Sequence, residues 1–142
     1  DTSKFVVLHN KSASWGSFPK KSVNSILTKQ ELVLIESLLR KCIEDYNINA
    51  KKRYNDLKRN NPEIKIEDFV INVDNYKRQY IVKKSLNGEK HVWINCFCSN
   101  TSLNKGWREE VLMVHDGGIC FFNLMLNLNK SVYYDLMVNG EA

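Results

Sequence analysis

Apolar and polar residues alternate along four short runs in the last third of the chain: HVWINCFC from His91, WREEVLMVHD from Trp107, ICFFNLMLNL from Ile119 and VYYDLMVN from Val132. A period of two places successive side chains on opposite faces of a strand. A Ser/Thr/Asn loop, Asp116-Gly117-Gly118 and Asn129-Lys130-Ser131 separate the runs, so the pattern predicts strands over 91–98, 107–115, 119–128 and 132–139 in meander order. The segment 75–82 reads as the first strand of this sheet. It turns at Leu86-Asn87-Gly88-Glu89, because Asn-Gly suits the positive backbone angles of a tight hairpin.

Ahead of the strands the period changes. Thr28-Lys29-Gln30-Glu31 is a capping box, and Leu27 and Leu32 can staple across it. From Leu32 through Ile35, Leu38, Leu39, Cys42, Ile43, Tyr46, Ala50, Tyr54 and Leu57 the apolar positions recur every three or four residues, the spacing of one helix face. The predicted helix runs over 28–60, ended by Asn60-Asn61-Pro62, since proline disfavours helical backbone in the residue before it. Residues 1–26 read as an arm and loop: a short β-prone run at Phe5–Leu8, then a Ser/Gly/Lys-rich stretch that Trp15 and Phe18 pin to the body. The whole is one domain over 1–142, an α+β fold with one long helix packed on a twisted antiparallel meander of four to five strands over 75–140.

Splitting each run by parity gives two unlike faces. One is nearly all apolar and must pack on the helix: Val92, Ile94, Cys96, Cys98, Leu112, Val114, Cys120, Phe122, Leu124, Leu126, Leu128, Val132, Tyr134, Leu136 and Val138. The other mixes Trp93, Phe97, Trp107, Phe121, Met125 and Tyr133 with His91, Asn95, Glu109, Asn123, Asn127 and Asp135. That face is too apolar for open water and too polar for an ordinary core, so something covers part of it. The arm with Phe5, Val7, Trp15 and Phe18, a second subunit forming a homodimer, and a bound ligand are the three candidates. Trp93, Phe97, Trp107, Phe121, Met125 and Tyr133 are the expected contact surface for a protein or small-ligand partner, because aromatics and methionine offer much area at low entropic cost.

Composition narrows the function classes. At 142 residues with 43% hydrophobic and 26% charged residues the chain is globular, and no run approaches the roughly 20 apolar residues that span a bilayer. Its start at Asp1, with no charged-then-apolar leader, reads as a processed product. The net charge of +5 is uneven, with Lys51, Lys52, Arg53, Lys58 and Arg59 clustered near the end of the helix. Such a cluster suits a helix C-terminus on dipole grounds, and its alternative meaning is a weak nucleic-acid or anionic-surface contact over 51–59. The cysteines Cys42, Cys96, Cys98 and Cys120 read as small buried hydrophobes, or as a disulfide such as one from Cys42 to the sheet. Cys96-x-Cys98 supplies two thiolates where zinc needs about four ligands, and His9, His91 and His115 are dispersed, so neither metal nor cofactor is expected. Cysteine nucleophilic catalysis is disfavoured because Cys96 and Cys98 point away from His91. Gly117-Gly118 lacks the following helix and Lys-Ser/Thr of a phosphate loop and reads as a hairpin turn.

A capped long helix followed by a meander resembles the cystatin-like architecture, shared by cystatins and by cone-shaped domains of the nuclear transport factor 2 type. The patterns Val114-His115-Asp116-Gly117-Gly118-Ile119-Cys120-Phe121-Phe122-Asn123 and Tyr134-Asp135-Leu136-Met137-Val138-Asn139-Gly140 also look like those of small bacterial envelope proteins. The resemblance covers residues 28–140 and implies an exported protein: periplasmic, secreted or a lipoprotein of the cell envelope. The Gln-x-Val-x-Gly wedge of inhibitory cystatins is missing, which speaks against thiol-protease inhibition. An isomerase-like enzyme, the alternative the resemblance raises, would need Asp116, Asp135, Tyr133 or Tyr76 in a pocket under the helix. The expectation is a non-catalytic extracytoplasmic binding module.

Overall fold

A computed structural model describes residues 3–9, 11, 16–99 and 105–140, and has one long helix lying across one face of a mixed sheet. The elements are β1 (Phe5–Val7), β2 (Val23–Asn24), α1 (Lys29–Lys58), β3 (Tyr76–Lys84), β4 (Lys90–Cys98), β5 (Phe121–Asn127) and β6 (Val132–Val138), with short 3-10 turns at Ile66–Asp68, Val73–Asn75 and Gly118–Cys120. The sheet order is β1-β3-β4-β5-β6, with β2 pairing beside β1 on β3. β3 to β6 are antiparallel neighbours in chain order, whereas β1 runs parallel to β3.

The capping box forms: the Glu31 N–H donates to Thr28 Oγ1 and the Thr28 N–H to Glu31 Oε1, at 3.1 and 2.9 Å. α1 then lays Ile35, Leu38, Leu39, Cys42 and Ile43 on Val92, Ile94, Cys96, Phe122, Leu124 and Leu126, so the apolar sheet face packs on the helix as its parity requires. Arg78 is a buried charge in this layer; it pairs with Glu36 while donating to the Val73 carbonyl at 3.1 Å. Arg40 links Glu36 onward to Asp74.

Residues 107–115 are not a strand. They form a strap of turns and irregular backbone, 105–117, laid over the outer face of the sheet. β4 already pairs with β3 and β5 on its two sides, so neither edge of β4 is free for this segment, which the meander order would have placed between β4 and β5. Side-chain amides replace the missing ladder. Gln79 Nε2 donates to the carbonyls of Trp107 and Glu110, both at 2.6 Å, and its Oε1 accepts from the Leu112 N–H at 3.0 Å. Asn95 Nδ2 donates to the Leu112 carbonyl and to Gln79 Oε1, and Asn139 Nδ2 to the carbonyls of Val114 and Asp116. The outer face is polar in places because it must satisfy the backbone that covers it. Leu112 and Val114, expected against the helix, pack instead on the outer cluster of Phe97, Trp107 and Phe121.

The arm completes the cover. Leu8, Val6 and Phe18 join Ile81, Trp93 and Met125. Gly16 sits so close that an added Cβ would lie 2.9 Å from Met125 Sδ and 3.0 Å from Trp93 Cβ, which only glycine avoids. Trp15 lies outside the described residues.

β6 departs from strict alternation. Its register to β5 shifts between Asn123 and Met125, with Asp135 at φ 52° as the extra residue. A bulge of this kind swaps faces on one side of itself. Tyr133, expected outside, therefore meets α1, while Tyr134, expected on the helix, joins the outer cluster.

Candidate functional site

The expected contact surface is a second core. Trp93 and Phe97 are 1% and 0% exposed, and Trp107, Phe121 and Met125 are buried with them under the strap and arm. Tyr133 is half-buried on the other side of the sheet, its hydroxyl donating to Asp45 at 2.6 Å. Outer-face recognition and a homodimer through that face both require these side chains to be accessible, and in this fold the chain itself occupies the space. The aromatics serve here to hold the strap: Phe97 meets Trp107 edge to face at 5.9 Å, and Lys77 and Arg108 lie over the Trp107 ring.

A concave feature lies at one end of the sheet. It is a hollow of roughly 840 Å³ between the connector after α1 and the start of β5, lined by Glu67, Asp68, Val70, Asn72, Asn75, Tyr76, Cys98, Ser99 and Gly117–Cys120. Its walls are the ends of β3 and β4 and the irregular backbone beside them, and specific bonds hold them. Asn47, midway along α1, clamps Ile71 by donating to its carbonyl and accepting from its N–H, both at 2.8 Å. Phe69 packs edge to face on Tyr54. The Ser99 N–H donates to the Asn75 carbonyl at 2.9 Å, and the Tyr76 hydroxyl to the Ile119 carbonyl at 2.7 Å. Across the hollow, Cys98 and Cys120 form a disulfide, and both remain half-exposed. Gly117, at φ 96°, supports the Phe121 ring where a Cβ would collide at 2.5 Å.

The lining combines an apolar floor with an acidic rim. Val70, Ile119 and the disulfide face the ring of Tyr76, whose hydroxyl is held protonated by burial well above its ordinary range. Glu67 and Asp68 stand exposed on the rim, and among the described residues neither takes part in an ion pair. A smaller cleft continues from Asp68 and Ile119 toward Tyr46, Arg53 and Asn139.

The chemistry weighed for catalysis is dispersed. Cys42 and Cys96 are buried free thiols, with burial pushing Cys42 up to about 12 and Cys96 higher still, so neither offers a thiolate near neutrality. His91 Nδ1 lies 2.9 Å from the Tyr134 hydroxyl, and burial lowers its pKa below the usual 6.5. Among the described residues no group of three or more His, Cys, Asp or Glu could hold a metal ion. The helix–sheet interface is filled by Leu38, Leu39, Phe122, Leu124 and Leu126 where an isomerase-like pocket would have to lie. Tyr76 and Tyr133 spend their hydroxyls on Ile119 and Asp45, and Asp116 and Asp135 are exposed. The basic side chains from Lys51 to Arg59 are exposed along the end of α1. No described helix is long and apolar enough to cross a membrane.

The hollow escaped the sequence pattern. Its connector wall carries no periodicity, Cys98 reads as a buried hydrophobe and Gly117-Gly118 as a hairpin turn, and these residues are brought together only by folding. No family model matches the chain, and neither a curated protein nor a solved structure matches it significantly.

Proposed function

We propose that this protein is an extracytoplasmic, non-catalytic binding module whose ligand occupies the hollow at the Cys98–Cys120 end of the sheet. The observation that carries this reading is the hollow itself: a concave, largely apolar site with a polar rim, whose irregular walls are held by a disulfide and side-chain clamps. Walls ordered before a ligand arrives lower the entropic cost of binding. A half-exposed disulfide persists in an oxidising compartment, which supports placement in the envelope or outside the cell. The capped helix followed by four antiparallel strands supports kinship with cystatin-like and nuclear transport factor 2 type domains, with the parallel β1 and the strap as additions of this chain.

Nuclear magnetic resonance shift mapping of the oxidised protein, with a library of small aromatic and aliphatic amines and carboxylates, tests the reading. Shifts should cluster at Asn75, Ser99 and Gly117–Cys120, and Val70→Trp, which fills the hollow, should weaken them at least tenfold. Hits confined to other surfaces, or hits indifferent to Val70→Trp, would remove the hollow as the site.

A further inference from the structure

We propose that the opposite end of the domain, where the β3–β4 hairpin turns, is a docking surface for an anionic lipid bilayer. Three stretches distant in sequence meet there: 19–31, 83–90 and 128–132. Val23 pairs with Lys84. Lys90 ties the rest together, its Nζ donating to the Ile26 carbonyl at 2.8 Å and to Glu31 at 2.9 Å, and its N–H to Asn129 Oδ1 at 2.8 Å.

These stretches hold seven lysines, no arginine and only two acids, Glu31 and Glu89, an excess of five that equals the +5 of the entire chain. Both acids are already engaged, Glu31 by the helix cap and Lys90, Glu89 by Asn87, Asn127 and Lys130. Lys20, Lys21, Lys29, Lys84 and Lys130 are exposed. Among them stand exposed aliphatic side chains: Leu86 at the hairpin tip is 80% exposed, Ile26 68%, Val23 61% and Val132 45%.

The combination selects the occupant. Phosphate-specific recognition of nucleic acid favours arginine forks and aromatic stacking, and neither is found in these three stretches. Aliphatic tips ringed by lysines fit a headgroup boundary instead: the tips enter the acyl region while the ammonium groups stay among anionic headgroups on long apolar stems. β3 starts at the hollow with Tyr76 and ends at the patch with Lys84, so a protein seated this way would hold its hollow away from the bilayer.

Co-sedimentation of the full 142-residue chain with vesicles of phosphatidylcholine alone, or with about a third phosphatidylglycerol, tests the proposal. Binding is expected only to the anionic vesicles and should weaken with salt. Replacing one exposed lysine, as in Lys84→Glu, should lower partitioning at least about fivefold. Ile26→Ser with Leu86→Ser should lower it further at constant charge, with circular dichroism and melting temperature unchanged because both side chains are exposed. Absence of binding to anionic vesicles would overturn the proposal. So would binding that ignores the Ile26/Leu86 pair, or binding abolished by reversing Lys51, Lys52 and Arg53 but not Lys84. A gel shift with DNA that responds to Lys84→Glu, without vesicle binding, would assign the patch to nucleic acid instead.

Discussion

Tyr133 illustrates how one side chain reports the face on which it sits. Its hydroxyl donates to Asp45 on α1, and that bond, with some burial, raises its pKa to about 12. A raised pKa means that the folded state favours the protonated phenol. The contribution is therefore complete below the ordinary value of 10 and is lost as pH rises from 10 through about 12. Tyr133→Phe should cost about 1 kcal/mol in urea unfolding near neutrality, at the low end for a bond to a carboxylate because both partners are partly solvated. The difference from the parent should shrink at alkaline pH, and the latest phenol titration among the accessible tyrosines should vanish from the ultraviolet absorbance. An unchanged alkaline titration in the variant would place Tyr133 away from Asp45.

At the level of elements, the strap is held by amides rather than by a ladder. Gln79 alone satisfies two carbonyls and one N–H of residues 107–112 in a buried site. Gln79→Met keeps the volume and strands those groups, so it should cost about 3 kcal/mol and raise hydrogen exchange across 106–114 while β3 to β5 stay protected. Exchange that rises evenly over the whole sheet would mean that the strap is not a separate layer. The helix and the cores of β3, β4 and β5 were legible from periodicity, because one partner face dictates every second or every third to fourth residue. The strap was not. Its alternation imitates a strand, and only the pairing of β4 with both neighbours removes the edge such a strand would need. The displaced parity of Tyr133 and Tyr134 has a similarly local cause, an extra residue at Asp135 that no composition rule announces.

For the molecule as a whole, the Cys98–Cys120 bond ties the end of β4 to the turn that precedes β5, closing a span of 22 residues. Replacing both cysteines with serine should lower stability by about 3 kcal/mol on loop-entropy grounds, and should broaden shifts at Gly117–Cys120 before the helix–sheet core responds. Loss of the core signals together with those of the hollow would show the bond to be a folding requirement rather than a clasp on one end. The chain's own periodicities carried the α+β class, the capped helix and the apolar sheet face, since these depend on residues a few positions apart and on a single buried side. Which aromatics become core, where a hollow opens and which lysines gather at one end depend on residues some 20 to 100 positions apart. Those meetings arise from the path of the strap, the arm and the connector over the sheet, and their positions are set by packing and backbone satisfaction in three dimensions.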